Sequence, residues 1–298
     1  MKIRILVILF FTLMTSKIEA QMPPEKTIII NNSKIAYYEQ GKGETIILLH
    51  GWPQTSFVWR KIMPALSKKY RTIAVDLPGL GNSDKVENYD TKNIATIINS
   101  FVDSLNIQKF HLVGHDIGSW VAVPFAINFE NKLKTLTVID AGIPGLIPSS
   151  LFQPENANKI WQFYFHSVDE IPEFLTKGKE KEYLSWYFSK KSFIKTAISE
   201  TDLQNYYLAY KGKDKMKNGF DYYRAFNESA EQNKKFDSKL TIPVFAIGGE
   251  YAVANQVGIA MEKIASNVTN EVISSCGHYV PEEQPNKLVE LIETLIEN

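Results

Sequence analysis

Sulfur chemistry is nearly absent from this chain. One cysteine, Cys276, occurs in 298 residues, so no disulfide can close within the chain and stability must come from a packed core. Cys276 stands directly before Gly277 and His278, which reads as buried packing beside a site and not as a nucleophile. An excess of charge is lacking too: 33 basic and 33 acidic residues cancel, and nothing argues for a nucleic-acid partner. Metal-ligand spacings such as H-E-x-x-H or paired C-x-x-C are missing, so no metal or organic cofactor is implied. No apolar run reaches membrane-spanning length. Ile5 to Met14 is too short. With Lys2 and Arg4 before it and Ile18-Glu19-Ala20 after it, this stretch makes residues 1–20 a cleavable secretory signal peptide. That implies a secreted or periplasmic protein with no membrane attachment in its mature form. Removal takes away Lys2, Arg4, Lys17 and Glu19 and leaves the remainder slightly acidic.

What is present is a globular composition, 44% apolar and 12% aromatic, enough for one or two compact domains. The first half alternates strand-like and helix-like segments. Residues 27–31 and 34–38 read as paired strands. Ile46–Leu49, Thr72–Val75, Phe110–Val113 and Leu136–Ile139 are short β-branched runs suited to buried parallel strands. Val58–Lys69 and Thr91–Leu105 between them have helical spacing. The alternation breaks after Ile143, where residues 143–236 contain Pro144, Pro148, Pro154 and Pro172 and then aromatic-rich helical segments. Strand–helix order returns at Pro243–Ile247 and Val272–Ser274. The expectation is an α/β fold with a mostly parallel, doubly wound sheet. Residues 21–142 and 237–298 form its two parts, and 143–236 are a helical cap inserted between them.

Chemistry concentrates at four places. Gly114-His115-Asp116-Ile117-Gly118 follows a strand and opens a helix, the context of the G-x-S-x-G elbow with a carboxylate in the nucleophile slot. A carboxylate can displace a leaving group from saturated carbon and form an ester. His50-Gly51-Trp52-Pro53 follows another strand. Its turn can aim the Trp52 N–H, with that of Ile117, into an oxyanion hole. Gly277-His278 follows the last strand, where His278 can serve as general base. The acid that orients it is either Asp140, after Leu136–Ile139, or Glu250, in Gly248-Gly249-Glu250. Asp76, in Asp76-Leu77-Pro78-Gly79, braces a loop and has no catalytic role.

In combination, His50–Thr55, Gly114–Trp120 and Gly277–Glu283 resemble the α/β-hydrolase fold in its epoxide hydrolase and dehalogenase branch. With the signal peptide, the chain resembles the Cif group of secreted bacterial epoxide hydrolases. The resemblance covers residues 25–298 and implies Asp140 as the orienting acid. It implies that a tyrosine preceding arginine, here Tyr223 in Tyr222-Tyr223-Arg224, binds the epoxide oxygen, with Tyr222 the near alternative. It places Gln162, in Trp161-Gln162-Phe163, at the second ring-opening position, usually histidine or tyrosine. An amide cannot give up a proton, so His166, four positions on, is a possible substitute. The implied substrate is a small apolar epoxide, and a homodimer is suggested by resemblance alone. Haloacetate and haloalkane dehalogenases share this nucleophile. Their carboxylate-gripping arginines or halide-holding tryptophan would fall at positions 117 and 120, which here hold Ile117 and Trp120. A non-catalytic secreted binding protein on this scaffold is the remaining alternative.

Overall fold

A computed structural model describes residues 22–212 and 214–297; residues 1–20, read above as a signal peptide, lie outside the described residues. Among these, eight strands make one sheet: β1 (Glu25–Ile30), β2 (Ser33–Gln40), β3 (Thr45–Leu49), β4 (Arg71–Val75), β5 (Phe110–His115), β6 (Leu133–Ile139), β7 (Val244–Gly249) and β8 (Val268–Ile273). Their order is β1-β2-β4-β3-β5-β6-β7-β8. β1 and β2 pair antiparallel through Asn31 and Asn32, whose φ values of 49° and 64° make the left-handed hairpin turn that asparagine tolerates. β2 runs antiparallel to β4, and every later pairing is parallel. β3 and β5 are buried along their whole length, as strands covered on both faces must be.

Two apolar layers sandwich the sheet. One includes the helices Thr91–Ser104 and Ile117–Phe129, with Ile94, Phe101, Trp120 and Phe125 inside it. The other holds Val58, Trp59, Met63, Leu288 and Ile292. The chain order reverses around β3, and loops leaving the carboxyl ends of β3, β5, β6 and β7 converge there, the usual crevice for a ligand in such sheets. Between β6 and β7 the chain makes six helices: Ala157–Ser167, Ile171–Thr176, Glu180–Lys191, Glu200–Tyr210, Lys215–Arg224 and Phe226–Asn233. None of the described helices is long and apolar enough to cross a membrane.

Three differences from the sequence reading exceed two residues or change the element type. The single helix expected over Val58–Lys69 is a 3₁₀ segment, Ser56–Lys61, followed by a short α-helix, Met63–Leu66. Pro64 explains the break, because its ring would clash with the carbonyl of Arg60 in a continuous helix. β6 starts at Leu133, ahead of Leu136, and β8 starts at Val268 instead of Val272. β8 is the sheet edge, and its first residues lack the apolar run that marks an inner strand.

Candidate active site

Asp116 sits at the turn between β5 and the helix Ile117–Phe129 with φ 51° and ψ −120°, a strained setting for any residue but glycine. The turn is held in place by close backbone packing. A Cβ on Gly114 would fall 2.5 Å from the Gly118 carbonyl oxygen, and one on Gly118 would fall 2.1 Å from that of Leu49. Gly51 has the same constraint, since its Cβ would meet Asp116 Cβ and Oδ1 at 2.4 Å. That missing methyl lets the loop after β3 close onto the nucleophile position. There the Trp52 N–H donates to Asp116 Oδ1 at 3.0 Å. Ile117 is the first residue of its helix, where a backbone N–H has no partner within the helix.

His278 approaches from the loop after β8. Its Nε2 lies 3.4 Å from Asp116 Oδ2, and its Nδ1 donates to Asp140 Oδ2 at 2.7 Å. Asp140 is fully buried, and its Oδ1 also accepts from Gly249 N at 2.8 Å and Val253 N at 3.1 Å. Glu250 is elsewhere: it accepts from Ser275 N at 2.8 Å and braces the turn after β8. The structure thus brings Asp116, His278 and Asp140 together and leaves Glu250 out. His115 backs this group, donating from Nε2 to the His278 carbonyl at 2.8 Å. Burial holds the His115 imidazole down at about 4, so it is neutral.

Charges in the site favour each other. Burial opposes ionisation of Asp116, but the charge of His278 3.4 Å away, then that of Lys191, outweighs it and lowers its pKa. Burial likewise opposes a charged His278, yet the Asp116 carboxylate 3.4 Å away and the hydrogen bond to Asp140 raise its pKa to about 9. Both shifts favour an imidazolium on His278 beside the Asp116 carboxylate.

The helical segment supplies aromatic walls. Tyr223 is buried, with its ring 5.4 Å from that of Trp120, 6.0 Å from Trp52 and 4.6 Å from His166. Tyr222, the alternative, faces the other way: its hydroxyl donates to the Pro78 carbonyl at 2.9 Å. Gln162 is buried and its Oε1 has no hydrogen-bond partner. His166 is fully buried, with Nε2 2.6 Å from the Tyr183 hydroxyl and its ring against Trp52 at 4.7 Å. Asp76 braces loops: it accepts from Ser56 N at 2.8 Å and Asn82 N at 2.9 Å. Cys276 is buried, and burial raises its thiol pKa.

Two residues of the site were not signalled by the sequence. Tyr187, in the helix Glu180–Lys191, packs its ring 5.1 Å from Trp52 and interacts with the Tyr223 hydroxyl. Burial, then the neighbouring tyrosine and the charge of Asp116, raises the pKa of Tyr223 well above the ordinary value. Tyr187 is shifted the same way, by burial first and then Asp116. Lys191 places its ammonium 4.9 Å from the Tyr187 ring centroid. Its pKa is lowered by burial against the opposing pull of Asp116 and Asp140. Neither residue lies in a recognisable motif; only the tertiary packing of their helix brings them here.

Comparison with known proteins gives the family. The alpha/beta hydrolase fold family matches residues 44–285. A soluble epoxide hydrolase from Corynebacterium sp. is 32% identical over 270 residues, spanning 88% of this chain and 93% of that protein. The crystal structure of Cfl2 from Burkholderia cenocepacia is similar with a TM-score of 0.88 at 36% identity, over 91% of this chain and 95% of that one. The Cif epoxide hydrolase from Acinetobacter nosocomialis shares the fold, with a TM-score of 0.84 at 24% identity over 91% of this chain and 88% of that one. The protein belongs to the α/β-hydrolase fold family, in its epoxide hydrolase branch, and is a hydrolase.

Proposed function

We propose that this protein opens an apolar epoxide to a vicinal diol through an ester on Asp116. The observation that carries the reading is a buried carboxylate at the elbow with a backbone N–H on one oxygen and an imidazole against the other. Oδ1 rests in the oxyanion position, which leaves Oδ2 to attack a ring carbon. As the carbon–oxygen bond breaks, the Tyr223 and Tyr187 hydroxyls donate hydrogen bonds to the leaving oxygen. Their raised pKa values keep both protonated at neutral pH, as donors must be.

The ionised resting state then has a use. Forming the ester removes the negative charge of Asp116, one of the two carboxylates that hold His278 protonated. His278 releases its proton, which ends on the leaving oxygen by way of the tyrosines. Neutral His278, held by Asp140, takes a proton from water, and the resulting hydroxide attacks the ester carbonyl. The N–H groups of Trp52 and Ile117 hold the oxyanion. Collapse frees the Asp116 carboxylate and a diol, and water has been added across the ring with no proton left over.

Gln162 enters this scheme only as a hydrogen-bond donor, so the tyrosines carry the ring opening. In the same reading, residues 143–236 act as a cap over the site, and residues 1–20 direct export. Dehalogenation is disfavoured because Ile117 and Trp120 offer no guanidinium to a substrate carboxylate. Assay of an epoxide panel beside fluoroacetate and haloalkanes tests the reaction. Diol formation from epoxides supports it; halide release without diol formation moves the protein to the dehalogenases.

A further inference from the structure

A buried carboxylate with no part in this chemistry lies behind His278. Glu283 ends the short helix Val280–Glu283 and is 6% exposed. Its Oε2 accepts from Gly277 N at 2.9 Å, Phe193 N at 2.8 Å and Ile194 N at 2.8 Å. Its Oε1 accepts from Tyr279 N at 3.1 Å. Gly277 and Tyr279 flank His278 on either side. Phe193 and Ile194 follow the helix Glu180–Lys191 that carries Tyr187. The join is drawn tighter by His278 N, which donates to the Lys191 carbonyl at 3.1 Å. A Cβ on Gly277 would fall 2.5 Å from Phe193 N and 2.7 Å from Lys191 O, so only glycine lets these segments touch. At the outer edge the rings of Phe193 and Tyr251 stack at 4.1 Å and 10°. Charged acceptors make the stronger backbone hydrogen bonds, and one carboxylate here gathers four.

We infer that Glu283 is a positioning residue: its carboxylate clasps the exit of the Tyr187 helix to the His278 loop and sets the reach of His278 toward the Asp116 ester. The inference rests on the aspartyl-ester reading above. It predicts an asymmetric effect on the two half-reactions. Asp116 is held by the elbow and by Trp52 N, none of which touches Glu283, whereas both neighbours of His278 are bonded to it. The adjacent Glu282 is a contrast: its side chain pairs with Arg60 and Lys61 and accepts from the Tyr206 hydroxyl, away from both flanks of His278.

The test is single-turnover mass spectrometry of Glu283→Gln, Gly277→Ala and Glu282→Gln beside the wild type and His278→Gln. The amide of Glu283→Gln keeps the size of the side chain but turns N–H groups toward N–H groups. Ester hydrolysis should slow about tenfold or more, as for a modest misplacement of a catalytic group, and ester formation, which draws on Tyr187 and on the His278 proton, should slow by less. The ester then accumulates during turnover although His278 is intact, and the pH profile of hydrolysis shifts. Gly277→Ala should break the clasp from its other side and do the same. Simple loss of folded protein would lower the fraction labelled and leave both rate constants alone, the result expected for Glu282→Gln. Wild-type hydrolysis rate constants in Glu283→Gln and Gly277→Ala would overturn the positioning role. Absence of ester in His278→Gln would instead overturn the aspartyl-ester reading beneath it.

Discussion

Burial by itself would push Asp116 toward its neutral form and His278 toward its own. Placed 3.4 Å apart, each keeps the other charged. The stability consequence has a definite sign. His278 has a raised folded pKa, so its contribution is full below the ordinary histidine value of 6.5 and is lost as pH rises through about 9. Asp116 has a lowered one, so its contribution is full above 3.8 and is lost only as pH falls well below that. The thermal midpoint should therefore fall between neutral pH and about pH 9, and calorimetry on His278→Gln should show a flatter profile over the same range. Tyr223 gives a second prediction at this scale. Tyr223→Phe removes a donor to the leaving oxygen and should slow ester formation about 100-fold, as loss of a general acid does, with hydrolysis of the formed ester little changed. Rapid-quench measurement of the two rate constants checks it.

At the scale of elements, what could be read in advance was local. The elbow is one contiguous string, a β-branched run, glycine, aspartate, glycine and a helix, so Asp116 was legible without tertiary information. The same holds for Trp52 and His278, each in a short motif on a loop after a strand. Asp140 and Glu250 also follow strands; their own residues left both open, the family resemblance implied Asp140, and the fold separates them: one reaches His278 Nδ1, the other the Ser275 backbone. Tyr187 and Lys191 were not legible, because a tyrosine and a lysine in a helix with no distinct apolar stripe carry no mark of what they will pack against. The broken helix after β3 was misread because its apolar spacing fits both one helix and a tight turn followed by another; Pro64 decided it. Gly51 offers the sharpest test of how elements meet. Gly51→Ala places a methyl 2.4 Å from Asp116 Oδ1 and should displace the elbow or the Trp52 turn. Activity should drop by orders of magnitude while the circular dichroism spectrum stays that of the folded protein.

Across the whole molecule, the core and the inserted helices are joined by a buried ionic network. Arg60 pairs with Glu282 at 2.6 Å and with Asp202 of the helix Glu200–Tyr210 at 2.7 Å. The Tyr206 hydroxyl, from the same helix, donates to Glu282 at 2.7 Å. Arg60→Ala leaves buried Glu282 with Lys61 and the Tyr206 hydroxyl but without its bidentate partner, so it should cost about 1.5–3 kcal/mol in denaturant unfolding. Those helices bring Tyr187 and Tyr223 to a nucleophile that the α/β core presents, and the proposed reaction needs both parts in register. Its central claim is a covalent bond to one oxygen of Asp116. The most direct measurement is the intact and peptide mass of His278→Gln after exposure to a turned-over epoxide. The account predicts a gain equal to the mass of the epoxide, confined to the peptide containing Asp116. An unmodified Asp116 peptide in a folded variant would contradict it.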